Sequence, residues 1–154
     1  MSARQTTSAV PFVVLAIVVL AAMGYLGWRV YDQPVDEYGA GRVAVQASDV
    51  VLSAGGGDAS MCSAMREVAA PDDAEAAVQR CEEAAGRAST GGPGALGARG
   101  LRATEIDVGR RSGSVTVAGT LQTRGPDFPL SLTWQVERVD DAWVVKGAPD
   151  VQVG

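Results

Sequence analysis

The sequence predicts an α+β protein: a single membrane-spanning helix, then helices packed on a curved four-stranded antiparallel sheet. Three observations carry that expectation. Gln5 to Trp28 contains no charged residue. From residue 35 to 86 apolar side chains recur at helical spacing, and beyond residue 100 the period falls to two. The implied division is 1–31, a short cytoplasmic tail and anchor, and 32–154, an extracytoplasmic domain. Within the latter, 35–86 forms the helical half, 87–100 a glycine-rich connector and 101–148 the sheet.

The anchor is expected at Val10 to Trp28, VPFVVLAIVVLAAMGYLGW. At ~1.5 Å rise per residue, such a run spans roughly 30 Å of hydrocarbon. Ser8 is placed to cap it, and Pro11 falls in the first turn, where a missing N–H is harmless. Tyr25, Trp28 and Tyr31 gather at the far end, as aromatic side chains do at a headgroup interface. The competing reading is a cleaved signal peptide, whose apolar region would be ~7–15 residues followed by an A-x-A-like site. Here the run is longer, and Ala21-Ala22-Met23-Gly24 makes a poor cleavage site. Arg4 and Arg29 flank the run almost symmetrically, so basic residues alone barely orient it.

Composition excludes several functions. There is no histidine, and a single lysine, Lys146, stands against twelve arginines. Without imidazole no Ser-His-Asp or Cys-His catalytic arrangement forms, and no histidine metal site. The heavy use of Ala, Gly, Val and Arg reports a GC-rich, actinobacterial type of genome. Beyond Tyr31 there are 18 acidic and 11 basic residues, which argues against nucleic-acid binding.

The helical half reads in three pieces. Val35 to Ala54 is amphipathic, weakened at its start by Gly39 and Gly41 and ended by Gly55-Gly56-Gly57. Met61, Cys62, Met65, Val68 and Ala69 share one face of a second helix, which Asp58 is placed to cap. Ala74, Ala77, Val78, Cys81 and Ala85 share one face of a third, with Asp72 and Glu75 spaced as a capping box and Gly86 as its stop. The midpoint of Cys62 and Cys81 falls at Pro71-Asp72, the expected turn. Two antiparallel helices bring together residues equidistant from their turn, so the spacing predicts a disulfide across a hairpin. Two buried free thiols are the alternative. A disulfide implies an oxidising compartment, and so orients the domain outside the cytoplasm.

In the sheet half, Val115, Val117 and Leu121 alternate to one face. Phe128, Leu130, Leu132, Trp134 and Val136 do the same, the pattern of a half-buried antiparallel strand. Leu101–Val108 and Ala142–Lys146 read as weaker strands. Turns are expected at 109–113, 124–127 and Asp140-Asp141. Gly92-Pro93-Gly94-Ala95-Leu96-Gly97 matches the letters of a dinucleotide fingerprint. That motif needs a strand before it and a helix after it, and here the order is reversed. It reads as a flexible connector.

One membrane helix, then helices, then a meander ending in LTWQVERVDDAWVVKGAP, resembles the NTF2-like (cystatin-like α+β roll) domains. In those an acidic or glycine turn precedes such a tryptophan. The resemblance covers residues 35–150 and is most specific at 128–148. It extends to membrane-anchored envelope versions of actinobacterial type, similar to Mce-associated membrane proteins. It implies a curved sheet wrapped around helices. Enzymes of this fold place His and Asp in a cone-shaped pocket, and with no histidine here no catalytic residue carries over.

Four groups remain as candidate sites. Phe128, Leu130, Leu132, Trp134 and Trp143 either line a pocket or fill a core. Arg99, Arg102, Arg110 and Arg111 are candidates for an anionic contact, with a lipid headgroup or a partner, or are solvated turn residues. Asp72, Asp73 and Glu75 suggest a cation site, but helix capping explains them better. Asp140 and Asp141 read as turn residues. The expectation is a non-enzymatic, membrane-anchored accessory protein of the cell envelope that docks to a larger membrane or transport complex and needs no cofactor. The alternative is a binding protein for a small apolar or lipid-like ligand in the cone of the roll.

Overall fold

The computed structural model describes residues 17–25, 35–89 and 97–154. Residues 17–25 are helical and belong to one unit, Met1–Pro34; the other unit is Val35–Gly154. Of the expected anchor 10–28 only residues 17–25 are described; Ser8, Pro11, Trp28 and Tyr31 lie outside the described residues, and Tyr25 lies within them. Among the described residues, no helix is long and apolar enough to cross a membrane.

In the Val35–Gly154 unit, helix α1 spans Glu37–Gly55, a single turn α2 spans Met65–Val68 and α3 spans Ala74–Ser89. Strands β1 (Gly97–Val108), β2 (Ser112–Gln122), β3 (Phe128–Val139) and β4 (Ala142–Val153) follow. They form one antiparallel sheet in the order β1-β2-β3-β4. The α+β order and the four-stranded meander are as the change of period predicts.

Helix α1 begins where Asp36 accepts a hydrogen bond from the Gly39 amide, at 2.8 Å. Its inner face is built from small residues: Ala40, Ala44 and Ala47 are fully buried. Gly41 has a tertiary reason. A Cβ there would stand 3.1 Å from Ile106 Cδ1 and 3.3 Å from Ala103 Cβ, so its absence lets the helix lie close on β1. The core fills the space between α1 and the sheet with Val50, Val115, Val117, Leu132, Trp134, Val136 and Val145.

Several sequence expectations are corrected in detail. The second helix shrinks to a 3-10 turn at Cys62–Ala64 and the one turn of α2. Asp58 does not cap it; its carboxylate accepts from the Ser60 amide instead. Glu75 closes no capping box, because it pairs with Arg66 at 2.9 Å. Gly86 does not stop α3, which runs on to Ser89. An exposed helical glycine costs only about 1 kcal/mol, too little to end a helix whose apolar face is packed. The sheet reaches beyond 101–148 at both ends, to Gly97 and Val153. The glycine motif 92–97 lies outside the described residues except for Gly97, which opens β1.

The cysteines are joined. Cys62 and Cys81 form a disulfide with Cα atoms 5.5 Å apart, and both are buried. The bond ties the 3-10 turn to α3. The β3–β4 hairpin turns through Asp140 and Asp141, both with positive φ (47° and 64°), as a two-residue type I′ connection requires.

Candidate functional site

The apolar row of β3 is core. Leu130, Leu132 and Trp134 are each no more than 3% exposed, whereas Phe128, at the strand's start, is 40% exposed. Trp134 donates its indole N–H to Ser48 Oγ at 2.8 Å, and Ser48 in turn donates to the Ala44 carbonyl. The pair crosses from β3 to α1 and satisfies both polar groups inside the core. Trp143 is also buried, but its indole N–H has no hydrogen-bond partner among the described residues. The two tryptophans stand on adjacent strands without sharing one pocket.

An apolar cavity lies beside this row rather than along it. In the β3–β4 ladder, Thr133 pairs with Asp150 but Gln135 pairs with Lys146, leaving three residues opposite Trp134. This bulge, Gly147-Ala148-Pro149, bows β4 outward, with Gly147 at φ 72°. Behind it is a cavity of about 240 Å³ bordered by Val51, Met65, Ala77, Cys81 and Trp134, with Arg80 and Arg87 at its margin.

The bulge is held by Asp73. Its carboxylate accepts from Arg80 at 2.7 and 3.1 Å and from the Gly147 amide at 3.0 Å. The Arg80 hydrogen bonds outweigh desolvation, so the Asp73 carboxyl is held below its ordinary value of 3.8. Asp72 approaches Lys146 at 3.9 Å, and Lys146 also pairs with Glu137 at 3.2 Å. The acidic trio at 72–75 is therefore dispersed into three separate ion pairs. Among the described residues no group of three or more His, Cys, Asp or Glu side chains converges to hold a metal ion.

The four arginines separate into two pairs. Arg110 and Arg111 sit in the β1–β2 turn, where the Arg111 carbonyl accepts from the Arg138 amide at 2.7 Å. Arg99 and Arg102 lie toward the other end of β1, roughly 30 Å away at ~3.3 Å per residue. Register explains what they join. Arg102, Ala118, Ser131 and Gln152 are opposed across all four strands, and Arg99, Thr120 and Pro129 across three. Directly opposed residues share a face. These rows alternate with Leu130 and Leu132, so they lie on the face away from the helices. Together they border an open hollow of about 820 Å³. Arg99 pairs with Asp127 at 2.7 Å, and Arg102 makes no ion pair or hydrogen bond among the described residues.

Sequence reasoning missed three things: Ser48, the β4 bulge and the bond by which Asp73 holds that bulge. Ser48 had a signal, being a polar residue on the apolar stripe of α1. Gly147 and Pro149, strand breakers four and six residues past Trp143, signalled the bulge. The Asp73 bond to the bulge had none, since its partner is a backbone amide 74 residues away.

Compared with protein-family models, with curated proteins and with solved structures, the chain matches none.

Proposed function

We propose that this chain is a non-enzymatic, membrane-anchored accessory protein of a bacterial cell envelope, whose extracytoplasmic domain docks to a larger membrane or transport complex. The buried Cys62–Cys81 disulfide carries the reading. Such bonds persist in oxidising compartments. A disulfide-bearing domain that follows an uncharged run at 5–28 is therefore best explained as tethered outside the membrane. Helices first and an antiparallel meander after them support the likeness to the NTF2-like roll. Purifying the tagged full chain from its own membranes in mild detergent tests the proposal. A stoichiometric protein partner is expected, and a chain that arrives alone refutes it.

The cavity beside the disulfide favours a second reading, a small apolar or lipid-like guest. Its lining, Val51, Met65, Ala77, Cys81 and Trp134, offers apolar contact on most sides. Mass spectrometry of the intact protein released from detergent separates the two. A retained acyl compound supports the guest, and its absence beside a bound protein supports docking.

A further inference from the structure

We propose that the docking surface is the helix-free sheet face bordered by Arg99 and Arg102, and that its occupant is an extended acidic segment of the partner protein. The inference rests on the docking reading above. Three observations carry it.

First, the face is assembled rather than scattered. Arg102, Ala118, Ser131 and Gln152 form one continuous row from β1 to β4. Three strand spacings of ~4.8 Å make that row about 14 Å wide, room for four or five extended residues. Second, its charge is available. Arg66, Arg80, Arg138 and Lys146 are each matched to an acidic side chain, whereas Arg102 pairs with none among the described residues. Arg99 is matched to Asp127, but the pair is exposed, 64% and 37%, and such pairs yield readily to a competing carboxylate.

Third, the remaining groups suit peptide rather than lipid headgroup. Thr120, Ser131 and Gln152 both donate and accept, as backbone N–H and C=O groups require. A phosphate headgroup needs donors alone.

The test uses the full chain in its native membranes. A photo-reactive phenylalanine analogue is placed at Gln152, bordering the hollow, and separately at Gln79, exposed on α3. The expected result is one protein adduct from position 152, absent from 79, whose captured peptide is rich in Asp and Glu. Arg102→Glu should lower its yield by about tenfold, whereas Arg102→Lys retains most of it. Unchanged thermal melting shows that both variants are folded. Lipid adducts from position 152, equal capture from 79, or a yield indifferent to Arg102→Glu would each overturn the inference. A partner that still co-purifies with Arg102→Glu leaves the docking reading standing without this surface. A chain that purifies alone removes both.

Discussion

At the residue scale, the two buried tryptophans separate packing from hydrogen bonding. Trp134 gives its N–H to Ser48, whereas the Trp143 N–H has no partner among the described residues. Phenylalanine removes similar volume at either site, but only Trp134→Phe breaks a made bond. Trp134→Phe should therefore cost about 1 kcal/mol more than Trp143→Phe in denaturant unfolding. Equal losses would mean the Ser48 contact contributes nothing. Asp73 gives a pH dependence whose sign follows from its depressed folded pKa. Its contribution is present above the ordinary value of 3.8 and fades as pH falls through the folded value. Melting temperature should drop as pH is lowered through and below 3.8, and Asp73→Asn should flatten that slope while lowering stability at neutral pH. The partly exposed pair with Arg80 keeps the effect modest. None of this is visible along the chain, because Ser48 and Trp134 are far apart in sequence, as are Asp73 and Gly147.

At the element scale, two helical glycines should respond oppositely to alanine. Gly86 has open space around its Cβ position and sits in the last turn of α3. Gly86→Ala should stabilise the fold by about 0.5 kcal/mol through helix propensity. Gly41 faces Ala103 Cβ and Ile106 Cδ1, and Ala103 is fixed to the strand backbone. Crowding of 1–3 kcal/mol is larger than the propensity gain, so Gly41→Ala should destabilise by roughly 1 kcal/mol. Urea unfolding of both variants checks the pair, and a stabilised Gly41→Ala would show that α1 can lift away. The disulfide belongs to this scale as well. It closes a loop of 19 residues between the 3-10 turn and α3. Reduction, or Cys62→Ala with Cys81→Ala, should lower stability by roughly 3 kcal/mol. Its legibility came from placement about the Pro71-Asp72 turn, and it survived although the first helix proved far shorter than its periodicity suggests.

At the scale of the whole molecule, the proposed topology is directly measurable. In intact cells, a tag following Gly154 should be open to added protease, while a tag preceding Met1 stays protected until the membrane is broken. The reverse pattern would place the disulfide-bearing domain in a reducing compartment and remove the basis of the proposed function. By itself the sequence determined the α+β class, the order of helices and strands, the cysteine pairing and the absence of histidine chemistry. Each of these depends on period, spacing or composition, which are local or countable properties. The tertiary structure alone decided that the β3 row is core, that a bulge opens a cavity beside Trp134, and that Arg99 and Arg102 part from Arg110 and Arg111. Those outcomes depend on strand register and on which helix face meets which strand. A change of one residue in register turns every side chain to the opposite face, and no single strand's pattern specifies its neighbour's alignment.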